Sequence, residues 1–237
     1  MPSLLYVSSV LLATSSATVT YLYFFHRSLG HRLHHEFHQN TLPDSVSTIA
    51  SLPPKVFSGE CRTFYDHASR RIDRKLLPTR KLEDIFTLFL RRNMTAFSRF
   101  PQAWIIRLNV TPVDRRTFHA SHIQSLQFKE GDLICGLYRV QERADNRVVL
   151  ELLFEGEVSG RLVLRYWEDG DDVVFCTDTI MWIGKAPSGQ RKRVIVPLEN
   201  PILRFLHELA AWWLIDSGVA YLMDLKAAEP MLEKRAE

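Results

Sequence analysis

The feature that most constrains the fold is a series of strand-like segments between residues 133 and 184, separated by short turns. The segments are rich in β-branched, aromatic and alternating apolar residues, and the turns carry Gly, Asp and Asn. Strands joined by such short turns lie side by side and run antiparallel. We predict an antiparallel meander, completed by one more strand within residues 117–128. The four predicted meander strands are 133–143, 147–155, 161–168 and 172–184.

Two helices are predicted to flank the meander. Leu82–Phe97 carries apolar residues at helical spacing. Residues 201–226 begin with a proline suited to a first helical turn and are apolar around most of the circumference. Charged residues within this segment argue against a membrane span, because a central charge costs about 2.5–3.5 kcal/mol on insertion. The predicted fold class is therefore α+β, a single domain over 57–226 with an antiparallel sheet wrapped on a long C-terminal helix, followed by a polar tail over 227–237.

The N-terminus carries a candidate membrane anchor. Residues 4–25 contain no charge, and as a helix they would be about 33 Å long, enough to cross a bilayer core. Arg27 and Arg32 follow this segment and no charged side chain precedes it, which argues against a cleaved signal peptide and keeps the C-terminal side in the cytosol. We predict a single-pass anchor over 1–25, a His/Arg-rich flank and linker over 26–56, and a cytosolic domain.

Histidines and cysteines raise the question of a metal. Five of the nine histidines lie within residues 26–38, at spacings that resemble the histidine boxes of membrane di-iron desaturases and hydroxylases. That family pattern needs several boxes between several spans, so we interpret this cluster as a polar segment beside the membrane. Cys61, Cys135 and Cys176 lie too far apart for a zinc motif. We predict no metal.

Several function classes lack support in the sequence. The net charge is only +3 and no basic–aromatic recognition motif occurs, so nucleic acid is not a predicted partner. Dinucleotide-binding, phosphate-loop, nucleophile-elbow and zinc-protease motifs do not occur, so no cofactor is predicted. The basic run over 185–193 is interpreted as a solvated loop.

Two resemblances add to this interpretation. The order of helix, antiparallel strands and long C-terminal helix over 57–226 resembles the helix-grip architecture of START-like and birch-allergen-like domains, which implies a cavity for a hydrophobic small molecule between sheet and helix. The stretches FSRFPQAW (97–104), GDLICGLYRV (131–140) and LHELAAWWL (206–214) are similar to uncharacterised fungal proteins found with secondary-metabolite gene clusters. That similarity implies a pathway context and no catalytic residues.

Strand alternation and the last helix supply the candidate site residues. Alternation places Glu151, Arg165 and Asp178 on faces that either line the cavity or form an outward ladder of ion pairs. Asp216 is a carboxylate on an apolar helix face and can act as a general acid or base. The predicted catalytic residues are Asp216, Asp178 and Arg165. The predicted substrate-binding residues are Tyr138, Glu151, Trp182, His207 and Trp212.

The leading functional prediction is a membrane-anchored, cofactor-independent cyclase or isomerase. It would fold a hydrophobic, polyketide-type intermediate of fungal secondary metabolism and use one or two polar groups for catalysis. One alternative is a non-catalytic protein that binds or transfers a hydrophobic ligand or lipid. Another is an accessory subunit that docks on other pathway enzymes at the membrane.

Overall fold

The protein contains an antiparallel sheet of seven strands in its described part, in the order β1-β2-β7-β6-β5-β4-β3. This arrangement comes from a computed structural model that describes residues 2–153, 156–184 and 194–236, with side chains described from 16 to 229 outside the two gaps. The strands are β1 His34–Gln39, β2 Cys61–Asp73, β3 Leu133–Ile134, β4 Tyr138–Ala144, β5 Arg147–Leu152, β6 Ser159–Asp169 and β7 Asp172–Gly184. The α-helices are α1 Pro2–Gly30, α2 Leu82–Phe97, α3 Pro101–Asn109, α4 Ala120–Ser125 and α5 Pro201–Ala236.

The predicted antiparallel meander is confirmed. β4 to β7 follow one another in the chain and pair as neighbours. The segment 133–143, predicted as one strand, is divided between β3 and β4. Cys135 and Gly136 lie between them with φ angles of 51° and 56°, and this left-handed conformation cannot continue a strand.

The strand expected within residues 117–128 is wrong. A short 3₁₀ helix covers Asp114–Phe118, and α4 follows it directly. The Thr117 hydroxyl donates to the Asp114 carbonyl at 2.6 Å and the Ser125 hydroxyl donates to the His122 carbonyl at 2.7 Å. Such local side-chain bonds to the backbone favour turns over extended strands.

The predicted flank and linker over 26–56 is part of the folded unit. β1 pairs with β2 along its length, so the histidine-rich segment forms a strand at the sheet edge. Two short 3₁₀ helices follow, Asp44–Thr48 and Pro54–Val56. We call residues 42–56 the covering segment, because it buries four apolar side chains against the sheet. These side chains are Val46, Ile49, Leu52 and Val56.

The two faces of the sheet have different covers. α2 and α5 pack on what we call the inner face, where the Phe89 and Phe175 rings lie 4.9 Å apart. The covering segment packs on the outer face, which carries Tyr65, Ile180 and Trp182. Alternate side chains of each long strand therefore enter two separate apolar clusters.

α5 is longer than predicted. It continues through the residues expected to form a polar tail and ends at Ala236. A sheet followed by a long C-terminal helix agrees with the element order that the helix-grip resemblance implies. α5 packs closely on α2 at Gly218, where an added Cβ would lie 2.6 Å from Asn93 Oδ1 and 2.7 Å from the Phe89 ring.

α1 contains the predicted anchor. Among the helical residues whose side chains are described, none forms a stretch long and apolar enough to cross a bilayer. The side chains of residues 2–15 lie outside that description, so the anchor over 1–25 stays a prediction. The basic segment 185–193, predicted as a solvated loop, also lies outside the described residues.

Candidate functional site

Buried polar side chains from three adjacent strands meet at the centre of the outer face. β2 supplies alternate residues, and the register sets His67 opposite Asp178 and Ser69 opposite Cys176. β6 sets Arg165 opposite Cys176 from the other side. We call this group the outer polar cluster. It consists of Tyr65, His67, Ser69, Arg165, Cys176 and Asp178.

Asp178 is the hub of the outer polar cluster. It is only 1% exposed. Its Oδ1 accepts from the Tyr65 hydroxyl at 2.7 Å and lies 2.6 Å from His67 Nδ1, while Arg165 Nη2 lies 3.1 Å from Oδ2. A carboxylate removed from water needs such charge and hydrogen-bond partners. Tyr65, His67 and Arg165 supply these partners.

The Asp178 contact fixes the orientation of the His67 ring. Because the carboxylate only accepts, Nδ1 carries the proton and donates to it. In the neutral imidazole Nε2 is then the acceptor, and it lies 3.1 Å from the Ser69 hydroxyl. The ring thus joins a buried carboxylate on one side to an exchangeable hydroxyl on the other. This is the arrangement of an oriented general base.

The neighbouring acids of the cluster are held in their neutral forms. Burial, with the Asp178 charge beside it, raises the pKa of Tyr65, so the phenol remains a hydrogen-bond donor. Burial and the same carboxylate raise the pKa of Cys176. At neutral pH Cys176 is a thiol, which excludes it as a thiolate nucleophile.

Three side chains of the cluster form a donor set of the kind that transition metals bind. Ligand atoms of His67, Cys176 and Asp178 lie within 4.8 Å of one another, and all three residues are buried. The Arg165 guanidinium, however, contacts both Cys176 Sγ at 3.3 Å and Asp178 Oδ2 at 3.1 Å. A divalent cation would have to replace this fixed positive charge and deprotonate a thiol of raised pKa. The set therefore does not fit a metal.

The cluster is closed at one end and open at the other. The covering segment packs over Tyr65, Ile180 and Trp182. Towards the β6–β7 turn, Trp167 is 37% exposed, and the Arg165 guanidinium lies 5.7 Å from the centre of its ring. Arg165, with a side chain 22% exposed, borders this open end. An apolar molecule lying on Trp167 would approach the cluster from there.

Two predicted catalytic residues, Asp178 and Arg165, do come together, but on the face away from α5. Of the two predicted orientations of these strand faces, towards the helix or outward, the outward one therefore holds for both residues. Glu151 lies on the same face in a ladder, 3.5 Å from Arg161 Nη1. Trp182 belongs to the apolar cluster under the covering segment, with the Arg161 guanidinium 5.5 Å from its ring. Glu151 therefore belongs to an outward ladder of ion pairs, which is one of the two predicted alternatives.

Asp216 is separate from this group. It lies on the inner side, only 6% exposed, where Arg70 Nη1 contacts Oδ1 at 2.6 Å and Arg32 Nη1 contacts Oδ2 at 2.8 Å. Both carboxylate oxygens are thus engaged by guanidinium groups, which keep their protons at any physiological pH. These contacts make Asp216 part of a buried ion-pair group, and its catalytic role stays a prediction.

Three predicted substrate-binding residues are also dispersed over the inner side. Tyr138 packs on Phe97 with ring centres 5.3 Å apart. His207 Nε2 lies 3.2 Å from Asp66 Oδ2. Trp212 stacks on His26, with ring centres 4.3 Å apart, and contacts His35 at the same distance. These residues do not form one pocket with Asp178.

Tyr65, His67 and Ser69 are not among the residues predicted for the site. All three occupy alternate positions of FYDHASR, residues 64–70. By sequence, residues 57–73 are compatible with a strand and then a short amphipathic helix, in which helical spacing would separate these side chains. The signal that could have identified them is the occurrence of polar residues at every second position, which indicates one face of a strand.

Comparisons with known proteins give limited results. No protein-family model matches the chain, and no curated protein matches it. Among solved structures, the crystal structure of CalU16 from Micromonospora echinospora aligns with a TM-score of 0.30 and 12% identity, over 83% of this chain and 96% of that one. The solution NMR structure of CalU16 aligns with a TM-score of 0.28 and 12% identity, over 76% and 73%. A likeness at this level carries no conclusion about function.

Proposed function

We propose that the protein is a cofactor-independent acid–base catalyst, a cyclase or isomerase that moves a proton on a hydrophobic, polyketide-type intermediate of secondary metabolism. The observation that carries the proposal is the contact between His67 Nδ1 and the buried Asp178 carboxylate, 2.6 Å apart. A histidine held in this way presents a basic Nε2 in one orientation. Positioned acid–base groups of this kind accelerate proton transfer by about 10²–10⁴-fold.

The proton path has two steps in the proposed reaction. His67 Nε2 takes a proton from the substrate carbon or hydroxyl, either directly or through the Ser69 hydroxyl 3.1 Å away. Asp178 stabilises the imidazolium that forms, while Arg165 and Tyr65 remain bound to the same carboxyl group. The same imidazolium then returns the proton to another atom of the substrate. Arg165 stabilises negative charge that develops on the substrate.

The substrate class rests on the open end of the cluster and on the pathway context implied by the sequence similarity. Trp167 offers an exposed aromatic surface beside the cationic Arg165. An apolar body would stack on the indole and place an oxygen near the guanidinium. No cofactor takes part in the proposed reaction.

A membrane location belongs to the same proposal. The uncharged residues 4–25 lie within α1, and Tyr21, Tyr23 and Phe24 are 65%, 53% and 60% exposed. Aromatic side chains at the end of an apolar helix suit the headgroup layer. We propose that α1 holds the domain at the cytosolic side of a membrane, where an apolar intermediate concentrates. Resistance of the full chain to carbonate extraction tests this location.

The test of the catalytic proposal is His67→Gln in the strain that naturally makes the protein. Glutamine keeps a polar side chain of similar reach but provides no base. We expect the product present in wild-type extracts to fall by about 10²–10⁴-fold and its precursor to accumulate. His119→Gln is the matched control, because His119 is exposed and far along the chain from the cluster. Extracts are compared by mass spectrometry, with circular dichroism of each purified variant.

An unchanged metabolite profile with folded His67→Gln would overturn the catalytic role. Native mass spectrometry of the full chain then separates the remaining alternatives. A retained hydrophobic molecule would favour a ligand carrier. An empty chain that co-purifies with a pathway enzyme would favour an accessory subunit.

A further inference from the structure

α3 presents three of its four large apolar side chains to solvent, and only Ile106 packs against the core. Trp104, Ile105 and Leu108 are 59%, 64% and 76% exposed, and Val113 in the next loop is 73% exposed. The opposite side of the helix is held down by Ala103, which is fully buried. We call these four exposed residues the α3 surface. Exposed apolar side chains that cluster on one element mark a contact with a partner or a membrane.

The charge around the α3 surface is strongly positive. Residues 99–129 contain five basic side chains, Arg99, Arg107, Arg115, Arg116 and Lys129, and one carboxylate, Asp114. The four arginines are exposed. The Asp114 carboxylate accepts from the Thr111 hydroxyl at 2.7 Å and so belongs to a local turn. Arg107 lies in α3 itself, and Arg115 Nε donates to the Arg107 carbonyl at 3.1 Å, so cationic groups lie beside the apolar ones.

A groove of about 530 Å³ adjoins the start of α3. Its wall includes Trp213 of α5, which contacts the Phe100 ring at a centre distance of 5.4 Å. The Arg92 guanidinium lies 5.1 Å from the centre of the Trp213 ring, and Arg99 lines the same groove. The groove therefore joins an aromatic wall to two guanidinium groups. The aromatic wall suits an acyl chain, and the guanidinium groups suit an anionic headgroup.

We propose that the α3 surface and this groove bind the surface of an anionic phospholipid membrane. The apolar side chains enter the boundary between headgroups and acyl chains, and the arginines contact lipid phosphates. The excess of positive charge favours an anionic lipid surface, to which each Lys or Arg near the membrane contributes about 1 kcal/mol of binding free energy. This contact is independent of α1 and of the outer polar cluster.

The test uses the full chain with Leu108→Cys, labelled with an environment-sensitive nitrobenzoxadiazole group. The three native cysteines are buried, so the new exposed thiol is labelled selectively. With phosphatidylcholine vesicles containing phosphatidylserine we expect a several-fold rise in emission, a blue shift and quenching by brominated acyl chains. Glu168→Cys, at an exposed site beside the β6–β7 turn, is the control that should stay in water. The readout is local, so insertion of α1 alone cannot produce it.

Charge is tested separately with Arg107→Gln/Arg116→Gln in the labelled chain. We expect the lipid concentration for half-maximal emission to rise by about tenfold or more. Lys55→Gln/Lys75→Gln removes the same amount of charge from exposed positions elsewhere. This control should leave the lipid concentration for half-maximal emission unchanged. High salt should weaken the response. A label at residue 108 that stays in water on anionic vesicles, or one that responds equally to pure phosphatidylcholine, overturns the proposal.

Discussion

Two buried carboxylates on opposite sides of the sheet, Asp178 of β7 and Asp216 of α5, differ in their partners. Asp178 on the outer side is bound by a histidine, a tyrosine and an arginine. Asp216 on the inner side is bound by Arg70 and Arg32. Both are buried and both balance positive charge, so burial of a carboxylate in an apolar region does not by itself identify a catalytic group.

The chemistry of the partners distinguishes these two sites. Arginine retains its protons, so the Asp216 group is a fixed ion pair that links α5 to β2 and to the segment after α1. Histidine exchanges a proton near neutral pH, and the His67 ring reaches from Asp178 to Ser69. A proton path therefore exists through His67 on the outer side, whereas the arginine partners of Asp216 only attach α5 to its neighbours.

The largest expected effect is from Asp178→Ala. The substitution removes the common partner of Arg165, His67 and Tyr65, and breaking a buried pair in this way costs about 3–5 kcal/mol of the free energy of unfolding. Urea denaturation followed by circular dichroism measures the loss. Asp145→Ala, at an exposed turn, is the control and should change stability by less than about 0.5 kcal/mol. Equal stabilities for these two variants would contradict the hub role of Asp178.

A smaller effect is expected from Asp216→Asn. The side chains of Arg32 and Arg70 are 47% and 22% exposed, so both can find water once the carboxylate is gone. We expect a loss of about 1–3 kcal/mol in the free energy of unfolding. Product formation in the native strain should stay at the wild-type level. A fall in product comparable with that of His67→Gln would return Asp216 to the mechanism and remove the distinction between the two sites.

The smallest expected effect is the pH dependence of stability that comes from two buried thiols. Cys135 belongs to the inner core and Cys176 to the outer polar cluster. Burial raises the pKa of Cys135 from 9.0 to about 12. The folded state thus favours the protonated thiol, and its contribution to stability is full below pH 9 and is lost as the pH rises towards 12. One such group adds a slope of up to about 1.4 kcal/mol per pH unit.

Denaturation of wild type and Cys135→Ala between pH 8 and pH 11 checks this contribution, starting below the ordinary pKa of 9.0 and ending below the raised value of about 12. The variant should lose stability less steeply with rising pH than the wild type does. Parallel curves would show that the thiol titrates equally in the folded and unfolded states. Cys176→Ala should show the same direction of change, because burial and Asp178 raise the pKa of that thiol too.

Local pattern was sufficient for several elements of the fold. Helical spacing of apolar residues gave α2 its observed bounds, Leu82–Phe97. Short turns gave the antiparallel order of β5, β6 and β7. Both results depend on residues close in the chain, where periodicity and turn chemistry act directly. Alternation also placed Asp178 and Cys176 on one face of β7.

Only the tertiary structure decided which face was covered by which segment. Alternation assigns side chains to two sets, but it does not say which set meets a helix and which meets the covering segment, since both sets of β7 are apolar enough to be buried. The pairing of His67 with Asp178 joins residues 111 positions apart. Such a contact depends on the packing of the whole sheet. The sequence by itself therefore determined the strands and their order within the meander. The tertiary structure determined which polar side chains meet in the site.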